Sequence, residues 1–68
     1  MKLKKAKKIA KKLGAKYIAV DANLDIFTHN TKPIIDKYDV DWISNDTMEY
    51  LGQYTGSKGW RDTLRRIK

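Results

Sequence analysis

Residues 17–29 decide the predicted fold, and they read Tyr17-Ile-Ala-Val-Asp-Ala-Asn-Leu-Asp-Ile-Phe-Thr-His29. Two short runs rich in β-branched and aromatic residues, separated by a small polar segment, are typical of two strands joined by a turn. The predicted turn is Asp21-Ala22-Asn23, because Asn tolerates the left-handed backbone conformation. The segment therefore predicts a β-hairpin with strands at 17–21 and 24–29.

A basic helix is predicted before this hairpin, over residues 3–13. Apolar residues recur there at helical spacing, and lysines fill the other positions. Gly14 follows the last periodic residue, as a helix terminator does. The apolar stripe predicts packing of the helix on the sheet through Leu3, Ile9 and Leu13.

Three further elements are predicted after the hairpin, which Pro33 ends because proline cannot donate to a strand ladder. Residues 38–42 alternate between apolar and acidic side chains, as a half-buried strand does, and residues 47–51 suggest a fourth strand. Residues 57–67 predict a C-terminal helix that Ser57 caps, with an apolar stripe of Trp60, Leu64 and Ile67.

The predicted fold is α+β, in a single domain over residues 1–68. It comprises a basic N-terminal helix (3–13), a small antiparallel sheet of three or four strands (17–51) and a short C-terminal helix (57–67). A chain of 68 residues buries only about 60% of its unfolded surface, so little room remains for a deep pocket beside a core.

Charge is segregated along the chain. Residues 1–16 hold eight lysines and no acidic residue, a formal charge of +8. Residues 17–57 hold two lysines and seven acidic residues, whereas residues 58–68 hold five basic residues and one acidic residue. Segregation of this kind bears on partners rather than on fold, and it favours an anionic ligand.

Several classes of function are disfavoured. The chain has no cysteine, which excludes disulfides and thiolate zinc sites. Lysines interrupt every apolar pair before Tyr17, so we expect no secretory signal, and no run is long enough for a membrane span. No nucleophile motif or Walker loop occurs. We therefore expect no enzymatic activity, no catalytic residue, no cofactor and no metal site.

Two polar features have a structural and a chemical interpretation. The single histidine, His29, is expected to be a surface or hairpin residue, because a lone histidine without cysteine is a poor metal ligand. Asp36, Asp39 and Asp41 form the densest acidic cluster. We interpret them as a solvated strand face or as partners of the lysine helix, and a weak site for a hard cation is the alternative.

The aromatic residues also have two interpretations. Trp42 and Trp60 are expected in the core, because aromatic side chains dominate the burial available to a small domain. Base stacking is the alternative, and Tyr50 and Tyr54, which lie near glycines and the basic C-terminus, are the better candidates for it.

The lysine helix itself has three interpretations. It is a solvated face partly neutralised by the acids of the sheet, a surface that binds a polyanion such as DNA or RNA, or an amphipathic helix on a membrane surface. Lysines four residues apart repel each other by a few tenths of a kcal/mol per pair. The predicted phosphate contacts are Lys4, Lys5, Lys8, Lys11 and Lys12, with Arg61, Arg65 and Arg66 as an extension.

Residues 17–64 resemble a loose group of small bacteriophage-encoded accessory proteins. The motifs that carry the resemblance are the hairpin Tyr17–Phe27, Lys32-Pro33, Trp42, Tyr50–Gly56 and the closing Gly59-Trp60-Arg61-Asp62-Thr63-Leu64. Leu24 stands where that pattern has a glycine in its hairpin turn. The resemblance implies a viral accessory protein and, with it, the host cytoplasm as the place of action.

The predicted function is therefore non-enzymatic binding of nucleic acid or a nucleoprotein through the lysine helix, with little sequence specificity. Lysines act as point charges, whereas bidentate base readout prefers arginine, asparagine or glutamine. The alternative is a protein-binding modulator, such as an inhibitor of a host enzyme or defence system, that uses the acidic sheet face or exposed aromatic residues.

Overall fold

The computed structural model describes residues 1–38 and 41–68, and within them every side chain except that of Met48. These described residues form one helix, six strands and a 3₁₀ turn. The helix α1 covers Leu3–Lys12 and the 3₁₀ turn covers Trp60–Asp62. The strands are β1 (Tyr17–Val20), β2 (Asp25–His29), β3 (Ile34–Asp36), β4 (Asp41–Ile43), β5 (Thr47–Gln53) and β6 (Arg65–Arg66).

The strands form two antiparallel sheets. The larger has the order β5-β2-β1-β6, and β3 and β4 make a separate two-stranded ribbon. The larger sheet places Val20 opposite Ile26 and Tyr17 opposite His29, which fixes the side chains on each face. The predicted α+β class, the N-terminal helix and antiparallel pairing are thus confirmed, but the four-stranded sheet includes β6 from outside the predicted range 17–51, and β4 lies in the separate ribbon.

The helix α1 covers one face of the larger sheet. Ala6 and Ala10 are fully buried in a core cluster that includes Ile18, Val20 and Ile26. Leu3 packs against this cluster from its edge, whereas Leu13 is 47% exposed. The prediction that Leu13 anchors the helix is therefore wrong. Alanines make the central contact because their small side chains let the helix approach the sheet closely.

The end of α1 follows its sequence signal. Gly14 has φ +77° and donates its N–H to the carbonyl of Lys11 at 3.1 Å. Ala15 donates to the carbonyl of Ala10 at 3.0 Å. These two bonds make a Schellman motif, in which the residue after the helix adopts the left-handed conformation that glycine tolerates best. The predicted terminator is confirmed.

The β1–β2 hairpin has a three-residue loop. Leu24 donates its N–H to the carbonyl of Asp21 at 2.8 Å, and Asp21 donates to the carbonyl of Asp25 at 2.9 Å. Leu24 has φ +71°, so a type I turn is followed by one left-handed residue, a common hairpin geometry. The left-handed residue is Leu24 rather than Asn23, and it occupies the position where the resembled pattern has glycine.

We expect Leu24→Gly to stabilise the protein. The left-handed conformation costs an L-residue about 1–2 kcal/mol, and the greater freedom of glycine in the unfolded chain offsets about 0.5–1 kcal/mol of the gain. Urea denaturation should show a higher midpoint for the variant. Asn23→Gly is the control and should lower the midpoint, because the Asn23 side chain accepts the N–H of Asp25 at 3.0 Å. A lower midpoint for Leu24→Gly would contradict the explanation.

The predicted C-terminal helix over 57–67 is wrong. Only Trp60–Asp62 form a short 3₁₀ turn, and the chain then pairs as β6 with β1. Eleven residues that start between Gly56 and Gly59 make a marginal helix, whereas the edge of β1 offers unpaired backbone groups. The turn preceding β6 also serves this edge, since the hydroxyl of Thr63 accepts the N–H of Val20 at 2.9 Å.

The ribbon of β3 and β4 was only partly predicted. The strand expected over 38–42 includes Asp39 and Val40, which lie outside the described residues; Tyr38 lies in a turn, and β4 begins at Asp41. Strand β3 has no counterpart among the predicted strands, since Pro33 predicts only the end of the hairpin. Pro33 is buried and directly precedes β3, a position where a missing N–H is tolerated.

The β3–β4 ribbon lies against the sheet face opposite α1. The backbone N–H of Trp42 donates to Asp21 Oδ1 at 2.9 Å, and Ser44, which follows β4, contacts His29 of β2. Ala19 and His29 on this face are fully buried. The molecule therefore has three layers, helix, sheet and ribbon, and α1 has its outer face open to solvent.

Candidate nucleic-acid interface

The outer face of α1 is a continuous lysine surface. All five predicted contact residues of the helix are exposed, namely Lys4, Lys5, Lys8, Lys11 and Lys12. Within residues 1–38 and 41–68, no hydrogen bond or ion pair joins any of these side chains to an acidic residue. Each ammonium group is therefore free to contact an external anion.

Three of the described acidic residues, Asp21, Asp25 and Asp41, lie near the β1–β2 hairpin and the ribbon. Asp21 lies at the end of the β1–β2 hairpin, on the side of the ribbon. Burial raises the pKa of its carboxyl group, the N–H of Trp42 lowers it, and the negative charges of Asp41 and Asp25 raise it again. These three carboxylates are thus close to one another. The interpretation of the sheet's acids as partners of the lysine helix finds no support in the part of the chain that the structure describes.

The two basic ends of the chain lie together in the fold. Strand β6 pairs with β1 so that Arg66 is opposite Tyr17, and the N–H of Ile67 donates to the carbonyl of Lys16 at 2.7 Å. At the other end of α1, Lys2 and Lys58 line one cleft. The backbone of β6 thus lies beside the segment that follows α1, whereas at the beginning of α1 Lys58 extends the lysine surface.

The three predicted arginines differ in their positions. Arg66 is exposed, but as the partner of Tyr17 it projects from the sheet face opposite α1, and its Nε donates to the carbonyl of Lys68. Arg65 is half-buried, and its Nη1 donates to the carbonyls of Asp62 and Leu64, both at 2.9 Å. Arg65 thus holds the preceding turn in place, and part of its guanidinium is already used within the chain.

Arg61 belongs to a different surface. Its guanidinium lies 4.7 Å from the ring centroid of Trp60, a cation–π contact. Trp60 in turn meets Trp42 of β4 edge to face, with ring centroids 6.5 Å apart. Arg61 therefore belongs with Trp60 of the 3₁₀ turn, which packs on the ribbon through Trp42, and no described contact joins Arg61 to the helix lysines.

The aromatic residues proposed for base stacking separate into two groups. Tyr54 is 5% exposed and its hydroxyl accepts the N–H of Lys58 at 3.1 Å, so Tyr54 is a core residue and no stacking platform. Trp42 and Trp60 are half-buried against each other. Tyr50 is 53% exposed, although its ring also contacts Phe27 at 5.7 Å between centroids. Among the two tyrosine candidates only Tyr50 is thus accessible to a base.

His29 was predicted to be a surface or hairpin residue; it does belong to the β1–β2 hairpin, but it does not lie at the surface. It is fully buried, and its Nδ1 lies 2.7 Å from Ser44 Oγ and 3.3 Å from Thr47 Oγ1. Burial lowers the pKa of His29, which favours the neutral ring. His29, Ser44 and Thr47 form one polar cluster, the His29 cluster. The sequence shows the two hydroxyl residues but not their closeness to His29, which depends on how the ribbon folds over the sheet.

The His29 cluster lacks the geometry of a catalytic triad. A histidine base needs a third group that orients its second nitrogen. The Nε2 of His29 is buried and has no hydrogen-bond partner among the described residues. The contact with Ser44 therefore links the ribbon to the sheet. The described residues provide no acidic group that orients the imidazole ring, as the aspartate of a triad does.

The described ranges contain neither a cluster of metal ligands nor a helix that could span a membrane. No group of three or more histidine, cysteine or acidic residues there has an arrangement that could hold a metal ion. The ten-residue α1 is too short and too polar to cross a membrane, and the described residues contain no other helix that could do so.

Comparison of the chain with models of protein families, with curated proteins and with solved structures gave no significant match. The interpretation of the lysine surface therefore depends on its own geometry and charge.

Proposed function

We propose that this protein is non-enzymatic and binds nucleic acid, or a nucleoprotein, through the lysine surface of α1. The observation that carries the proposal is the exposed and unpaired state of the helix lysines, Lys4, Lys5, Lys8, Lys11 and Lys12. Clustered lysines on one helix are the electrostatic footprint of phosphate contacts.

The repulsion within α1 supports the same proposal. Lys4, Lys8 and Lys12 are four residues apart, and each such pair of like charges costs a few tenths of a kcal/mol. No acidic residue lies in the first turn of the helix, where it would favourably oppose the dipole. A polyanion along the outer face of α1 relieves this repulsion, so that binding and helix stability reinforce each other.

The chemistry of lysine implies weak sequence preference. An ammonium group contacts phosphate oxygens as a point charge, and phosphate contacts position a protein without reading bases. The fold presents no arginine, asparagine or glutamine from α1 for bidentate base readout, since α1 contains only lysine, alanine, leucine and isoleucine. The resemblance to phage-encoded proteins supports a viral accessory role in the host cytoplasm as part of this proposal.

Salt dependence of binding tests the proposed function. Four or five lysine contacts should give a slope of about −4 when the logarithm of the association constant for random duplex is plotted against the logarithm of salt concentration. K4E/K8E/K12E should weaken binding to every sequence alike and flatten the slope, because three phosphate contacts are lost. Fluorescence anisotropy with labelled duplexes would measure both effects.

A matched pair of variants separates contact from overall charge. K8E/K12E and K32E/K37E each reverse two exposed lysines and change the net charge equally, but Lys32 and Lys37 lie outside α1. The α1 variant should lose much more affinity than its control. Equal losses, or an absence of wild-type binding to DNA and RNA at low salt, would overturn the proposal.

A protein-binding modulator is the second candidate, and an exposed apolar pair on the ribbon favours it. Ile34 and Ile43 are cross-strand partners and are 65% and 42% exposed. Apolar side chains exposed side by side are one mark of a protein interface. This candidate predicts a tight complex with one host protein that salt does not weaken and that Ile34→Asp abolishes.

A further inference from the structure

A cleft lies where the beginning of α1 meets the loop after β5. Its volume is about 380 Å³, and Lys2, Thr55, Ser57 and Lys58 contribute polar side chains to its lining. These residues come from two segments that are far apart in the sequence, so no local motif predicts the cleft. No acidic residue lines it among the described residues. Two positive charges and two hydroxyl groups therefore surround one open space.

Backbone contacts hold the two walls of the cleft together. The backbone nitrogen of Met1 donates to the carbonyl of Gln53, and Thr55 donates its N–H to the carbonyl of Met1 at 2.9 Å. Residue 1 is thereby paired with the end of β5. Since Lys2 follows directly, this pairing fixes the start of α1 beside the loop.

The loop itself is shaped around Tyr54. A Cβ atom on Gly56 would lie 2.2 Å from the Tyr54 hydroxyl, so only glycine lets the loop pass this close to the ring. The same hydroxyl accepts the N–H of Lys58 at 3.1 Å. The buried Tyr54 thus determines the path of residues 55–58 and the position of Lys58 in the cleft wall.

We propose that this cleft binds one phosphate group of the nucleic-acid strand that α1 contacts. The inference rests on the proposed function and adds a defined phosphate site to it. Lys2 and Lys58 supply the charge, and the hydroxyls of Thr55 and Ser57 donate hydrogen bonds to phosphate oxygens. The first turn of α1 has no side-chain cap, so its positive end adds to the field in the cleft.

The size and position of the cleft agree with this ligand. Its volume is at the lower end of the range for ligand pockets, about 300–1,000 Å³, and suits a phosphate with part of its sugar. A strand anchored there continues along the outer face of α1, where Lys4, Lys8 and Lys12 follow at intervals of about 6 Å. The cleft thus sets the position of the strand on an otherwise uniform lysine surface.

The phosphate can be an internal diester or a terminal monoester, and two forms of one oligonucleotide distinguish them. A short single strand would be compared with and without a 5′-phosphate by fluorescence anisotropy. Tighter binding of the phosphorylated form that K2A/K58A removes identifies a terminal group. Equal binding of the two forms, with equal loss in K2A/K58A, identifies an internal diester. Both outcomes support the cleft.

The decisive variants are K2A/K58A, K32A/K37A and Ser57→Ala. We expect K2A/K58A to bind at least tenfold more weakly and the magnitude of its salt slope to fall by about 0.7–0.9, because that number of ions is released per phosphate contact and the cleft holds one phosphate. K32A/K37A removes the same charge elsewhere and should remain close to wild type. Ser57→Ala leaves the charge unchanged, so a severalfold loss there reports the hydroxyl contact. Circular dichroism would verify that each variant is folded.

Failure of the cleft and failure of the proposed function give different results. If wild type binds nucleic acid but K2A/K58A matches K32A/K37A, the cleft inference is overturned and the function stands. If wild type binds no nucleic acid, the function fails, and titration with pyrophosphate monitored by amide NMR shifts decides about the cleft. Shifts concentrated at residues 2–3 and 55–58 would sustain a phosphate site, whereas their absence would overturn it.

Discussion

Ile18→Ala is expected to lower the free energy of unfolding by about 2–5 kcal/mol, as for other large-to-small changes in a core. The side chain of Ile18 is completely buried in the core cluster. It lies on β1, the strand that β2 and β6 flank and that α1 covers. Its loss would leave a cavity at the junction of helix and sheet.

The size of the domain makes this loss severe. At about 0.05–0.15 kcal/mol per residue, a chain of this length has a total stability of about 3–10 kcal/mol. Ile18→Ala therefore removes a large share of it, and a fraction of the variant should be unfolded at room temperature. Urea denaturation followed by circular dichroism would show a lower midpoint with an unchanged slope.

Ile34→Ala is the matched control for this prediction. Ile34 is the same residue type in a strand, but it is 65% exposed. Its replacement should change stability by no more than about 0.5 kcal/mol, as is usual for surface substitutions. Similar losses for the two variants would contradict the assignment of the core to the space between α1 and the larger sheet.

The parts of the fold that the sequence predicted correctly have local causes. The helix follows from apolar spacing and from Gly14, and the hairpin follows from two β-rich runs around Asp21-Ala22-Asn23. Each of these signals lies within about a dozen residues of the element that it specifies. Leu24 shows the limit of such signals, because the fold imposes a left-handed conformation that leucine does not favour.

The errors concern elements whose conformation depends on distant partners. Trp60, Leu64 and Ile67 have helical spacing. The chain nevertheless forms β6, because its backbone pairs with the otherwise unpaired edge of β1. The sequence places His29 in a hairpin but does not predict its burial, because Ser44 of the covering ribbon is 15 residues away in sequence. Pairing across such distances outweighs local propensity and is not visible in a pattern of neighbouring residues.

The candidate site divides in the same way. Exposure of the α1 lysines could be predicted, because charged residues on the polar side of an amphipathic helix face water. The adjacency of the two basic ends could not, since it depends on the register that sets Arg66 beside Tyr17 and on the pairing of Met1 with β5. Sequence alone therefore indicated the lysine surface but neither its extension nor the cleft.

Thr63→Val is expected to lower stability by about 1–3 kcal/mol, the cost of a buried donor without a partner. Thr63 has no solvent exposure, and its Oγ1 accepts the backbone N–H of Val20 at 2.9 Å. The same hydroxyl donates to the carbonyl of Trp60 at 2.6 Å. Valine has almost the same shape but no hydroxyl, so both backbone groups lose this partner.

The hydroxyl of Thr63 replaces one bond of a strand ladder. Strand β6 begins at Arg65, opposite Ile18, and pairs with β1 only at Ile18 and Tyr17. It therefore has no residue opposite Val20. A side chain therefore satisfies the donor that a longer β6 would have paired. Hydrogen exchange should show faster exchange of the Val20 amide in Thr63→Val than in wild type, because its acceptor is gone.

Thr63→Ser distinguishes the hydrogen bond from packing. Serine keeps the hydroxyl and loses a methyl group, which costs about 1 kcal/mol when buried. We expect Thr63→Ser to be more stable than Thr63→Val and to retain slow exchange at Val20. The opposite order would mean that the methyl group, not the hydroxyl, holds the C-terminal segment on β1. In that case, the loss of the predicted C-terminal helix would need an explanation other than the demand of the sheet edge for partners.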